Sequence, residues 1–556
     1  MIGILADPAD CAVVQEFFEL FKTPWELYRP GKSYDVVLCA GGDCPRGLSA
    51  KIVLLYSAGR LAFDSEHKNG AEISPKPPQF FQYKGFRVPV YGELMTFPIQ
   101  GDGLLPVEQD PRRSAVYLSV QPNRIVARVG YDLFQEVLTL LTSGQPIPNA
   151  GIPTLELHIS LLRDLIVSAN VPLIEIPPLP AHYSLIASLT HDVDHPSIRK
   201  HKLDHTLFGF LYRAIVGSVM NLMKSRMSVG DVLKNWAAVL RLPFIHLGLA
   251  NDIWYQFDRY VELEGGAHST FFFIPFKGEP GITDLGRAPS HRASPYAVAE
   301  YADRVVDLMK AGCEIGVHGI DAWADSPRGT EEISQIRGIT GKKEVGARMH
   351  WLYFDAHSPA TLEQAGASYD STVGYNETIG YRAGTSQAYK PLAVSRLLEL
   401  PMHVMDTALF YPSYLNLSPN EAEKQVDRIV ENATVFGGCV TVNWHDRSIA
   451  PERLWGDFYC QLVRKLRSQG AWFATAGEVV AWFRKRRSIV FENVSWESNQ
   501  VRIKIAADTM ENLPDLQVRV HYGHDRSQSI TLSAGTPAEG AEVAEKYSME
   551  ASVALL

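Results

Sequence analysis

Cysteine is scarce in this sequence, with six residues in a chain of 556. Cys11, Cys39, Cys44, Cys313, Cys439 and Cys460 match no zinc-binding spacing. A chain of this size does not need disulfide staples, so the expectation is free, buried thiols in a reducing compartment. A basic excess is missing as well. Lys and Arg number 53 against 62 Asp and Glu, for a formal net charge of -9 and a pI near 6.0. That balance argues against general nucleic-acid binding, which needs a basic face. No window holds some twenty uninterrupted apolar residues, so no membrane span is expected. The opening Met1-Ile2-Gly3-Ile4-Leu5-Ala6-Asp7-Pro8 has neither a basic n-region nor a long apolar h-region. No signal peptide is therefore expected, and the expected compartment is the cytoplasm, peripheral to the inner membrane if the helical insert described below lies on a bilayer. Gly41-Gly42 suggests a tight turn, but without GxGxxG or a P-loop no nucleotide site is assigned.

What is present reads as a multidomain globular protein. Apolar content of 46% with 21% charged residues is ordinary for one, and the length implies two or three domains. Residues 1–180 read as an α/β domain, with strands at Ile2–Leu5, Tyr34–Cys39 and Ile52–Tyr56 and helices at Cys11–Lys22, Tyr131–Leu138 and Leu155–Ser168. Ile176-Pro177-Pro178-Leu179-Pro180 is a stiff linker and the best boundary in the sequence. Residues 181–487 form the second expected domain, interrupted by a basic, mostly helical insert at 196–255. Its apolar stretch Leu207–Leu222 contains Arg213 and is followed by Lys224 and Arg226. Packing on its own domain is the preferred reading there, with peripheral membrane contact through 203–250 as the alternative. Residues 488–556 read as a small β-rich domain whose Gly/Ala/Glu-rich tail begins near Ser533.

The chemistry concentrates in Leu185-Ile186-Ala187-Ser188-Leu189-Thr190-His191-Asp192-Val193-Asp194-His195-Pro196. An apolar run reads as a buried strand and ends in carboxylates and imidazoles. Side chains alternate across a strand, so Asp192 and Asp194 share a side. Two anions so close repel unless a cation or a shared proton relieves them, although a lone Asp-x-Asp is more often a turn that caps the next helix. Further strands are expected at His268–Pro275, Glu314–His318, Met349–Phe354, Leu397–Val404, Cys439–Asn443 and Trp472–Thr475, with a helix at Pro295–Lys310. Strand-helix alternation over some three hundred residues argues for a parallel β/α barrel, distorted TIM-like with seven or eight strands. In such a barrel the strand ends converge on one face. They carry Asp192, Asp194, His318, Asp321, Arg348, His350, Asp406 and His445-Asp446.

These residues resemble the polysaccharide deacetylases, the NodB-homology carbohydrate esterases. Thr190-His191-Asp192-Val193-Asp194-His195-Pro196 looks like an Asp-x-Asp variant of the family's first motif, and Ser269-Thr270-Phe271-Phe272-Phe273 like its Ala-Thr-Phe-Phe strand. Gly316-Val317-His318-Gly319 is similar to the metal-histidine motif, and Arg348-x-His350-Trp351 to the Arg-x-Pro-Trp/Tyr motif. Asn443-Trp444-His445-Asp446 is similar to the final histidine motif, and Trp472-Phe473-Ala474-Thr475 with Glu478 to the last strand and helix. The resemblance covers about residues 184 to 486. It implies a hydrolase that removes N-acetyl groups from a sugar or polysaccharide, serving surface polysaccharide synthesis. It implies one divalent ion, zinc foremost with other divalent ions open, held by Asp194 and His318. Asp192 would be the base, Arg348 its ion-pair partner and His445 the acid, with Asp406 or Asp446 orienting its imidazole. The family's second histidine falls on Ala322 here, so the third ligand is Asp321 or His350. Asp321 is preferred because the family's ligand comes from that turn. His191 and His195 receive no role. The implied partner is an N-acetylated carbohydrate and no nucleic acid. The alternatives are a catalytically silent sugar-binding barrel and a metal-free amidohydrolase of the allantoinase-like branch, the latter disfavoured by the presence of both Asp194 and His318.

Overall fold

The apolar run of the first motif folds into a nine-residue strand, Leu185–Val193, buried along its whole length. In the computed structural model, described for all residues except 46, 75–77, 100–104, 225–226, 284, 498–499, 509–511, 524–525, 533–545 and 555–556, this strand is the centre of a parallel seven-stranded sheet. Cys439–Asn443 pairs along one edge. Ser269–Phe273 and the short Ala471–Phe473 share the other edge. Outward from Ser269–Phe273 follow Glu314–Gly319 and Ala347–Met349. Strands covered on both faces read as continuous apolar runs rather than alternating ones, which is why Phe271, Phe272 and Phe273 stand side by side.

The ring is completed without regular strands. Ala347 bridges to Asp370 and Asp370 to Glu399, both parallel. The same segment continues to Val404–Met405, which pairs with Cys439–Asn443. The expected Leu397–Val404 strand is therefore split between two neighbours. The expected Met349–Phe354 strand is not formed. Pairing stops at Met349, and a tight turn, His350–Leu352, follows with Trp351 and Leu352 at φ 63° and 54°. Two consecutive side chains held in the left-handed region mark stored backbone strain, which clusters at functional sites. The architecture is α/β, with a distorted parallel β/α barrel.

The chain divides into two compact units: residues 183–380 with 393–480, which contain the barrel, and residues 1–182 with 381–392 and 481–556. The second of these is built on a six-stranded sheet. Trp25–Leu27, Ile2–Leu5, Val36–Ala40, Ile52–Tyr56 and Arg124–Val129 are parallel, and Val116–Gln121 is antiparallel at the edge. The C-terminal strands, expected as a separate domain, group with this unit because Leu516–Gly523 pairs with Leu173–Glu175. The buried Glu175 carboxylate accepts from Arg163 at 2.7 Å and lies 3.0 Å from His521. The expected tail from Ser533 lies outside the described residues as far as 545; Lys546–Ala554 beyond it is a strand.

Cys39 and Cys44 form a disulfide with their Cα atoms 5.9 Å apart, contrary to the expectation of free thiols throughout. Five residues of separation across the turn after Val36–Ala40 bring the two together, which spacing rules for long-range staples do not detect. Cys11, Cys313, Cys439 and Cys460 are free.

Candidate active site

The first barrel strand places Thr190 and Asp192 at its C-terminal end with Asp194 one residue beyond it, and the two-residue spacing brings all three to one side. Thr190 and Asp192 are held by Arg348, fully buried on the Ala347–Met349 strand. Its Nη1 donates to Asp192 Oδ1 at 3.1 Å and to Thr190 Oγ1 at 2.6 Å, while Nε and Nη2 donate to the carbonyl and hydroxyl of Ser371 at 2.9 Å. Asn443 Nδ2 donates to the second Asp192 oxygen at 2.7 Å. Burial raises the Asp192 pKa, but its positively charged neighbours, Arg348 and His445 among them, outweigh it and hold the carboxyl below its ordinary range.

Asp194 has a different neighbourhood. Its Oδ1 lies 3.3 Å from His318 Nε2 and 3.3 Å from His350 Nδ1, and the two imidazole nitrogens are 3.1 Å apart. The far nitrogen of each ring faces a backbone carbonyl: His318 Nδ1 donates to Arg348 O at 3.0 Å, and His350 Nε2 to Arg292 O at 3.1 Å. A carbonyl only accepts, so those far nitrogens carry the protons of the neutral rings. The near nitrogens then present bare lone pairs to each other and to a carboxylate oxygen that is buried with no hydrogen-bond partner. Three lone pairs facing inward repel unless a cation or a shared proton sits among them. Asp194, His318 and His350 are the described group whose ligand atoms lie mutually within 4.8 Å. One carboxylate and two imidazoles, each imidazole oriented by a carbonyl, are a donor set that suits a divalent transition ion.

Asp321, the preferred third ligand, is not in this group. Glu332 accepts the amides of Ile320 and Asp321, both at 2.8 Å, and fixes the turn after Gly319. The turn carries the Asp321 carboxylate away, where its Oδ1 accepts the Ile282 amide at 2.8 Å. His350 supplies the third donor instead. Ala322, on the same turn, is fully buried and offers no ligand atom, and Gly329 packs against it, so that a Cβ there would come within 3.0 Å of the Ala322 Cβ.

His445 stands beside the cluster, its Nε2 3.8 Å from Asp194 Oδ2. Asp406, fully buried, accepts from His445 Nδ1 at 2.6 Å and from the His445 amide at 2.7 Å. Burial alone would lower the imidazole pKa, but Asp406 and then Asp194 and Asp192 raise it to about 10. Of the two candidate partners for His445, the structure brings up Asp406. Asp446 accepts the amides of His195 and Arg447 instead.

Neither a comparison with protein-family models nor one with curated proteins returns a match. Solved structures with a similar chain path exist. A Mycobacterium smegmatis protein assigned as a polysaccharide deacetylase is 17% identical, covering 55% of this chain and 94% of its own, with a TM-score of 0.33. A Pseudomonas aeruginosa protein of the same assignment is 15% identical, covering 58% and 98%, with a TM-score of 0.34. An allantoinase is 14% identical, covering 55% and 92%, with a TM-score of 0.33.

Two functional-looking positions went unassigned in the sequence. Asn443 clamps Asp192, and its place at the end of its strand, two residues before His445, is the signal that it faces the site. Arg292 is the second, and nothing local marks it. Buried at a turn, it donates to the carbonyls of Ile320 and His350 at 3.0 and 2.9 Å, tying together the turns that carry His318 and His350. Of the unassigned histidines, His191 is locked between Trp444 O at 2.8 Å and Glu264 Oε1 at 2.9 Å, away from the cluster. His195 lines the cavity above it, with His201 Nε2 3.1 Å from its Nδ1. That cavity measures about 510 Å³. Asp192, Asp194 and His445 lie in its wall with Trp351, Tyr353, Tyr411 and Tyr414.

Proposed function

We propose that this protein is a metal-dependent hydrolase that removes the acetyl group from an N-acetylated sugar or polysaccharide. The observation that carries the reading is the inward convergence of the Asp194, His318 and His350 lone pairs between a clamped carboxylate, Asp192, and an imidazole backed by a buried carboxylate, His445 with Asp406. Zinc suits the donor set best, and other divalent ions fit the same atoms. A role in surface polysaccharide synthesis is carried over from the family resemblance.

A divalent ion at this cluster supplies acidified water and a Lewis acid for an amide oxygen. The chain's own residues divide the remaining work. Asp192, kept ionised by Arg348 and Asn443, accepts the proton from the attacking water. His445, its imidazole pKa raised chiefly by Asp406, gives its Nε2 proton to the departing amine. Asp406, bound to Nδ1, keeps that imidazole charged and aimed. The products are acetate and the free amino sugar. Trp351, Tyr353, Tyr411 and Tyr414 offer ring faces of the kind that pack on the C–H faces of a pyranose.

The test pairs metal analysis with acetate release from N-acetylhexosamine oligomers. The expected result is about one divalent ion per chain and turnover abolished by chelation. Asp192→Asn should keep the ion and lose activity by about 10²–10⁴-fold, the usual contribution of a general base. Turnover that survives both chelation and Asp192→Asn refutes the reading.

A further inference from the structure

The helical insert after the first barrel strand carries apolar residues on its outside. Along the helical stretch His205–Met223, the exposed positions Phe208, Tyr212, Ile215, Val219 and Met223 recur at helical spacing, Met223 at 81% exposure. Along Val229–His246, Leu233, Trp236, Leu240 and Phe244 do the same, Leu240 at 73%. These are not core stripes turned the wrong way. The opposite faces already supply Leu207, Phe210, Ala214, Ala238, Leu242 and Ile245 to one buried cluster with Trp254. Each helix is therefore apolar on two sides, and a continuous exposed apolar face marks an interaction surface.

Charge indicates which partner fits. Arg199, Lys200, Lys202, Lys224, Lys234 and Arg241 are exposed on and beside these helices, against the half-buried Asp204, Asp231 and Asp252, in a chain whose net charge is -9. Lys200 pairs with Glu300 and Lys234 with Asp231, which leaves a local cationic excess. Apolar and aromatic residues with basic neighbours are the composition of a helix that lies in a membrane interface, and an anionic leaflet attracts the basic ones. His205–Met223 is long and apolar enough to cross a bilayer by length and composition alone. Its inner face is packed on the fold, however, so it would lie along the surface.

The same helix bounds the catalytic cavity. His205, Thr206, Gly209 and Arg213 line the wall that also contains Asp192 and Asp194. We propose that the insert seats the protein on an anionic bilayer and that the cavity takes its N-acetylated glycan from a lipid anchor in that bilayer; the substrate half rests on the deacetylase reading above.

The experiment uses the full chain in a flotation assay with phosphatidylcholine vesicles, with and without phosphatidylglycerol. Binding to the anionic vesicles is expected to be at least about tenfold tighter, since each basic residue near such a surface contributes about fivefold. Leu240→Glu with Phe244→Glu should abolish flotation, and Lys224→Glu with Arg241→Glu should weaken it about tenfold or more. Both pairs are on the surface and should leave the melting temperature and acetate release from soluble oligomers unchanged. Equal binding to neutral and anionic vesicles, or flotation that both pairs leave intact, overturns the proposal. So does a concentration-dependent dimer that Leu240→Glu dissociates without any vesicle binding, which would give the face to a second copy. An N-acetylhexosamine on a lipid anchor in the same vesicles should be deacetylated faster than the free headgroup; equal rates overturn the substrate half. Vesicle binding with no acetate from either substrate would remove the deacetylase reading and leave the docking face standing.

Discussion

Replacing His350 and Asp321 separately by Ala distinguishes the donor set seen in the structure from the one the sequence favoured. His350 Nδ1 is one of three lone-pair donors, 3.3 Å from Asp194 Oδ1 and 3.1 Å from His318 Nε2. Apparent free energies for tightly bound structural zinc, about 10–16 kcal/mol over four ligands, imply about 3 kcal/mol per donor. His350→Ala should therefore raise the dissociation constant about 100-fold, or somewhat less if water takes the vacated position. Asp321→Ala removes only an acceptor for the Ile282 amide and should leave metal affinity unchanged. Competition against a chromogenic chelator at neutral pH reads both constants on one scale, and thermal melts confirm that each variant is folded. If Asp321→Ala weakens binding by orders of magnitude while His350→Ala does not, the inference from converging lone pairs is wrong.

Two further outcomes follow from the geometry. Asp406→Asn should leave metal content intact but cost about 10²–10⁴-fold in kcat, because the amide cannot hold the His445 imidazole charged; unchanged turnover in steady-state assays would exclude His445 as the acid. Glu363 offers a pH test remote from the site. Burial raises its carboxyl, but the amides of Ser395, Arg396 and Leu397, at 3.1, 2.6 and 2.9 Å, outweigh that and lower it from 4.5 to about 2. A depressed folded-state pKa stabilises above the unfolded value and is lost as pH falls through the folded one. Glu363→Gln should thus lower stability by about 1–2 kcal/mol near neutrality, after a discount for partial solvent screening, and the deficit should shrink between about pH 5 and pH 2. Denaturant titrations that show a pH-independent deficit would contradict this.

Local pattern determined much of this protein. The run Leu185–Val193, the Phe271-Phe272-Phe273 strand and Cys439–Asn443 are buried on both faces, so their apolar continuity alone reads as parallel strand. Period two then puts Thr190, Asp192 and Asp194 on one side, and the strand-end rule for β/α barrels gathers His318, Arg348 and His445 at the same end. These are short-range regularities, and sequence carries them directly.

Tertiary structure decided the rest. His350 rather than Asp321 joins Asp194 and His318 because Glu332, eleven residues beyond Asp321, holds that turn outward, while Arg292 ties the His350 turn inward through two carbonyls. Neither contact has a sequence period to betray it. The Cys39–Cys44 disulfide and the grouping of the C-terminal strands with the N-terminal unit depend on which segments meet in space. Hydrogen bonds from one turn to another, and the volume left between helices, are properties of the assembled fold, because distances along the chain do not encode them.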